Sequence, residues 1–237
     1  MNTQFSTPAR DRMAGAAFDA GLRAHMLGVY RSMGLGLIVT GIVAALIGNT
    51  PALYQPIFGT PLKYVAIFAP LAFVFFFTFR IDRMTDAGAR TAFYAFAAVM
   101  GVSLASIFVI FTGASIAQTF FIAASMFLGM SLWGYTTGRD LTKMGSFLMM
   151  GLIGIIVAGL VNIFLGSPVL HLVISLVGVA IFTGLTAWDT QRIKSEYAVY
   201  GGTEAAAKLQ VMGALSLYLN FVNLFQLLLT FFGEREK

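Results

Sequence analysis

Ten carboxylates occur in the chain, and nine of them, Asp11, Asp19, Asp82, Asp86, Asp140, Glu196, Glu204, Glu234 and Glu236, fall in polar stretches or tails. Asp189 alone directly continues a long apolar run, after Thr186-Ala187-Trp188. An ionisable group beside a membrane-length apolar segment is costly to keep there, which makes it a functional candidate by default. Two readings of Asp189 are open. It can mark the water interface beside an anchoring Trp188, with Arg192 at i+3 as a surface partner. If the helix continues to Tyr197 and turns Asp189 inward, burial opposes its charge while a nearby Arg favours it, the balance a proton-sensitive switch requires.

A second group of polar residues lies in the last apolar run: Ser216, Tyr218, Asn220, Asn223 and Gln226. At 100° per residue Ser216, Asn220 and Asn223 share a face, as do Asn223 and Gln226, a stripe of hydroxyl and amide oxygens on an otherwise lipid-like helix. Asn162 supplies another amide in the fifth run. Such a stripe can be interhelical glue, at roughly 0.6–2 kcal/mol per bond, or the lining of an ion path.

Other chemistries lack their residues. The two histidines, His25 and His171, are assigned to interfaces, and without an H-E-x-x-H pattern there is no zinc-protease site. With no cysteine there is no thiolate nucleophile or Cys-ligated metal. An intramembrane aspartyl protease needs two helix acids. A retinal pump needs a Lys inside the last run, and none follows Lys208 there. No G-x-x-x-x-G-K-[ST] loop is present. The expectation is therefore a protein without catalytic residues or resident cofactor.

The elements that must position Asp189 and the stripe follow from composition. The chain has 237 residues, 58% hydrophobic and only 11% charged, whereas soluble domains carry about a quarter charged residues. Apolar runs at 28–49, 61–80, 91–112, 115–136, 145–166, 168–188 and 209–232 each approach the roughly 20 residues a helix needs to cross a bilayer. Turn formers separate them, among them Asn49-Thr50-Pro51, Gly59-Thr60-Pro61, Gly166-Ser167-Pro168 and Gly201-Gly202. The runs are too rich in Gly and Ala, and alternate too weakly, for barrel strands. An all-α membrane protein, a seven-helix bundle over 28–233 behind a polar tail at 1–27, is the expected fold. Gly34 with Gly36, Gly151 with Gly154 and Gly159, and Ala117 with Ala123 and Ala124 are candidate close crossings.

The basic residues sort by side. Arg10, Arg12, Arg23 and Arg31, then Arg80, Arg83 and Arg90, then Arg139 and Lys143, then Arg192, Lys194 and Lys208 occupy alternate connections, whereas the intervening ones hold only Lys63. By the positive-inside rule the N-terminus is cytoplasmic, and seven crossings leave the C-terminus outside. The net charge of +5 is thus topology, with the lipid bilayer as partner and no nucleic acid implied.

Four motifs carry a resemblance. Tyr135-Thr136-Thr137-Gly138-Arg139-Asp140-Leu141-Thr142-Lys143-Met144-Gly145-Ser146-Phe147-Leu148, Val161-Asn162-Ile163-Phe164, Trp188-Asp189-Thr190-Gln191-Arg192-Ile193-Lys194 and Ala214-Leu215-Ser216-Leu217-Tyr218-Leu219-Asn220-Phe221-Val222-Asn223-Leu224-Phe225 resemble the Bax inhibitor family, in its bacterial branch, over about residues 25 to 233. The resemblance implies a multi-pass protein of the bacterial inner membrane, six helices around a central C-terminal one, and a passive, pH-sensitive calcium leak with Ca²⁺ as the transported ion. It also implies an aspartate pair on the sixth and seventh helices and a basic latch ending the second. Asp189 matches the first aspartate and Arg80 the latch. Asn220 stands where the second aspartate is expected, so a Ca²⁺ site at Asp189 and Asn220 keeps its oxygens but loses one charge. The pathway expected on this basis comprises Asp189, Asn220, Arg80, Asn223 and Ser216. A lone carboxylate also lacks the repulsion that makes a pair retain a proton. Bacterial relatives include a membrane modulator of a membrane-bound AAA protease, so a protease complex is the alternative partner, with residues 1–27 as its handle. The chain is expected to be monomeric.

Overall fold

A computed structural model describes residues 8–236, with side chains from Gly15 onward; Arg10, Asp11 and Arg12 lie outside the described side chains. Its helices are α1 (Pro8–Gly48), α2 (Pro51–Phe58), α3 (Leu62–Arg80), α4 (Asp86–Leu104), α5 (Ile107–Ile110), α6 (Gly113–Thr136), α7 (Thr142–Leu165), α8 (Pro168–Tyr200) and α9 (Ala205–Phe232). Among the described residues there is no strand beyond an isolated bridge between Phe111 and Arg235. Seven segments are long and apolar enough to cross a membrane, α4 and α5 together forming one of them. The fold is an all-α membrane bundle.

Local chemistry sets the helix ends. The Thr85, Thr112 and Ser167 hydroxyls accept the backbone N–H of Gly88, Ser115 and Leu170, three residues on, and so cap α4, α6 and α8. Pro168 starts α8 at its first turn, where its missing N–H costs nothing. Gly166 closes α7 at φ 59°, a left-handed conformation that glycine adopts without a Cβ clash.

Three boundaries depart from the sequence expectation. α1 begins at Pro8, so the described part of the polar tail is a helical extension of the first crossing. At 41 residues it is about 62 Å long, roughly twice the hydrocarbon thickness. α8 runs to Tyr200, twelve residues beyond the apolar run that ends at 188. The third crossing breaks at Ala105, where a Cβ added to Gly48 of α1 would lie 2.7 Å from the Ala105 carbonyl oxygen.

α9 sits at the centre, packed against α1, α4, α6 and α8, with twelve of its residues between Val211 and Leu229 buried. α7 lies outermost, mainly against α8, with Gly145 its one buried residue among those described. Without a hydrophobic drive between helices in lipid, close backbone approach and van der Waals contact hold such a bundle. Close crossings on α8 are at Gly134, whose added Cβ would strike the Ala187 backbone, and at Gly145, where it would strike the Trp188 ring. Of the expected small-residue positions, Gly36 meets Phe93 and Tyr218 and Gly151 meets Ile181, but Gly34, Gly154 and Gly159 face no neighbour. Between α9, α4 and α1 lies an aromatic centre: fully buried Tyr218 meets Phe93 and Phe96 edge-on at 5.8 and 5.7 Å. Its hydroxyl pairs with Thr40 Oγ1 at 2.6 Å.

The connections gather at two ends. At one, Lys208 donates to the Asp82 carbonyl at 2.9 Å and Lys194 to that of Tyr135 at 3.0 Å. Gln191 bridges the α6–α7 loop there, donating to the Arg139 carbonyl and accepting from the Leu141 amide, both at 2.8 Å. At the other end the C-terminal segment is pinned beside α6, the Thr112 amide donating to the Glu234 carbonyl at 2.9 Å.

Candidate functional site

Because α8 continues past the apolar run, Asp189 is an interior helical residue, and it faces α9. Its side chain is only 8% exposed. Three groups satisfy it or its partner. Asn220 Nδ2 donates to Oδ2 at 2.7 Å, and Arg192 Nη2 donates to Oδ1 at 2.6 Å. The same Arg192 nitrogen reaches Ser216 Oγ at 3.0 Å, so α8 and α9 are joined by one charged, hydrogen-bonded cluster. Both carboxylate oxygens therefore have a donor, as a buried charge requires.

Arg192 is held from the outside as well. Its guanidinium lies 5.1 Å from the Trp188 ring centroid, and Trp188 rests on the bare backbone of Gly145. Its Nε lies 3.9 Å from Glu196 Oε1 and has no hydrogen-bond partner among the described residues. The guanidinium thus stands between a carboxylate one turn back, Asp189, and one a turn forward, Glu196, bonded to the first and merely near the second. With the Arg side chain 37% exposed, the cluster opens toward the basic end of the bundle.

The structure brings together Asp189, Asn220 and Ser216 of the expected pathway. Arg80 is not among them: it ends α3 as an exposed residue, and no ion pair of the described residues includes it. The carboxylate's counter-charge is Arg192 instead, because at i+3 on one helix it needs no interhelical movement to reach Asp189. Asn223 lies one turn beyond Asn220, its Nδ2 donating to the Leu219 carbonyl at 2.8 Å. Asn162 bonds the Ser167 amide at 3.0 Å and closes the α7–α8 turn, away from the cluster. His25 is buried against Tyr197, their rings 5.0 Å apart, and so is packed rather than interfacial.

Two polar links have no counterpart in the sequence expectation. A hydroxyl chain runs from Tyr30 through Ser131, at 2.5 Å, to Thr190, at 3.0 Å, and Thr190 donates to the Thr186 carbonyl. The other is the Tyr218–Thr40 pair. Only the large polar ring Tyr218 inside an apolar run hinted at the second.

As an ion site the cluster is sparse. Among the described residues no group of three or more His, Asp or Glu side chains could hold a metal ion. One carboxylate, one amide oxygen and one hydroxyl fall short of the six to eight oxygens Ca²⁺ prefers, and the Arg192 nitrogen sits on the carboxylate. The arrangement suits a transient cation stop or a charge switch better than a storage site.

Proteins similar to this chain occur in several bacteria. The chain is 47% identical to an uncharacterised protein of Rickettsia prowazekii, over 92% of this chain and 93% of that one. It is 47% identical to another from Caulobacter vibrioides, over 98% and 96%. It is 42% identical to YbhL of Escherichia coli, named an inner membrane protein, over 92% and 94%. The family described as inhibitor of apoptosis-promoting Bax1 matches residues 22–237. The chain is an integral membrane protein and belongs to the Bax inhibitor family.

Proposed function

We propose that the protein is a passive, pH-sensitive leak for calcium and related cations, controlled by whether Arg192 stays on Asp189. The observation that carries this reading is the buried carboxylate bridged between α8 and α9 by Arg192 at 2.6 Å and Asn220 at 2.7 Å. While the pair is closed, the guanidinium occupies the place a cation would take. Protonation of Asp189 removes the charge that holds Arg192, and Glu196 stands one turn away to receive it. The basic end, by the positive-inside rule, is cytoplasmic, so the gate opens toward the cytoplasm with the N-terminus on that side.

Calcium flux into proteoliposomes, measured from about pH 6 to 8 for the wild type, Asp189→Asn and Asn220→Asp, tests this. The expected result is a pH-dependent wild-type rate that Asp189→Asn renders flat. Equal, pH-independent rates in all three would sink it. Flux absent at every pH in folded protein would favour the protease-partner role instead, with the helical extension of α1 as its handle.

A further inference from the structure

We infer that the water-accessible path outward from Asp189 follows the polar face of α9 between α7 and α8, through a cavity lined by Asn223 and Gln226, and bypasses the aromatic centre of the bundle. For the ion this rests on the leak reading; for the water it does not.

The two faces of α9 differ. Ser216, Asn220, Asn223 and Gln226 lie on one side, whereas Tyr218, Phe221 and Phe225 lie roughly opposite. The second side is aromatic: Tyr218 packs on Phe93 and Phe96, Phe221 on Phe120 and Phe127, and Phe225 on Phe120, with centroids 5.4 to 6.3 Å apart. A cation on that route would shed its hydration among packed aromatic rings and find only the Tyr218–Thr40 hydroxyl pair, already committed to each other, in exchange.

The polar side ends in an open cleft of about 250 Å³ lined by Leu152, Ile155 and the exposed Ile156 of α7, Phe182 of α8, and Asn223, Gln226 and Leu227 of α9. It exists because α7 packs mainly on α8 and stands off from α9. Among the described residues the Gln226 carboxamide makes no hydrogen bond, and Asn223 uses only its Nδ2. Amides at membrane depth must be satisfied, and although the walls are mostly apolar, the Asn223 and Gln226 carboxamides give waters in a cavity this size polar partners on the α9 side. Two of its walls, Leu227 and Ile155, pack over Gly178, whose added Cβ would lie 2.6 Å from Leu227 Cδ1 and 3.4 Å from Ile155 Cδ1. Asn220, Asn223 and Gln226 thus form a ladder of uncharged oxygens that can replace part of a cation's hydration shell without trapping it.

The absence of cysteine from the chain makes the test direct. Single variants Asn223→Cys and Gln226→Cys are compared with Leu224→Cys, a fully buried position within the bundle, and Val157→Cys, facing lipid on α7. Each is reconstituted, its melting checked, and treated with a charged methanethiosulfonate reagent on both sides of the vesicle, with modification read by mass. Because the thiolate forms in water, Asn223→Cys and Gln226→Cys are expected to react at least about tenfold faster than both controls. Reaction no faster than the controls, or reaction of Leu224→Cys instead, overturns the path. Calcium flux is read in the same vesicles. Labelling without flux removes the leak and leaves the wet cavity standing, whereas flux without labelling removes this path and leaves the leak. Ile155→Trp, filling the cavity from α7, is expected to suppress both labelling at position 226 and flux.

Discussion

Arg192 Nη2 lies 2.6 Å from Asp189 Oδ1, one turn along the same helix, so the candidate gate carries its own counter-charge. A latch from another helix has to travel to close; one on α8 needs only a change of rotamer. The consequence is that the two arginines separate experimentally. Arg192→Gln leaves a buried carboxylate bonded to Asn220 alone. Its cost should fall below the ~3–5 kcal/mol of breaking a fully buried pair, because the guanidinium is 37% exposed. We expect lower thermal stability in detergent and a higher calcium leak at neutral pH, with Arg80→Gln close to wild type in both measurements.

Asn220→Asp replaces the amide donor 2.7 Å from Asp189 Oδ2 with a second carboxylate. Two carboxylates a hydrogen bond apart resist joint ionisation, so they share a proton or recruit a cation. A steeper pH dependence of the leak is expected, together with calcium binding strengthened by roughly tenfold, the effect of one added ligand charge at about 1.4 kcal/mol. Flux titrations and isothermal calorimetry check the two parts separately.

Gly134 lies where α6 crosses the α8 backbone at Ala187, beside the gate. A backbone cannot rotate away as a side chain can. Gly134→Val should therefore destabilise by about 1–3 kcal/mol or more and disturb Asp189 with it. Gly154 faces no neighbour, so Gly154→Ala should be neutral or, through helix propensity, stabilising by up to about 1 kcal/mol. Thermal melts of the two variants in one detergent decide this.

Outside the membrane spans, Asp140 accepts from the Thr142 hydroxyl at 2.6 Å and amide at 2.9 Å, and these bonds hold its carboxyl below the ordinary value. A depressed folded pKa stabilises the fold above the unfolded value, about 3.9, and that stability is lost as pH falls through the folded one. Asp140→Asn should lower the melting temperature slightly at pH 7, with the difference closing below about pH 4. Melts across that range test it.

The sequence by itself determined the class of molecule and the inventory of the site. Seven apolar runs, their Gly and Pro punctuation and the alternation of basic residues follow from local composition, because a bilayer imposes length and apolarity on each segment separately. Asp189 stood out for the same reason, and Asn220 stood out through its place in a motif. Which side of α8 Asp189 presents, and which arginine meets it, only the tertiary structure decided. Both depend on α8 continuing helical to Tyr200, through Gln191, Arg192, Lys194, Ser195 and Glu196, where no apolar period marks the path. That polar turn is helical because its side chains clamp neighbours, Gln191 the α6–α7 loop and Lys194 the Tyr135 carbonyl. Likewise apolarity does not set α9 apart from its neighbours, and its central place arises from packing against four helices at once, a property of the assembled bundle that no stretch of sequence contains.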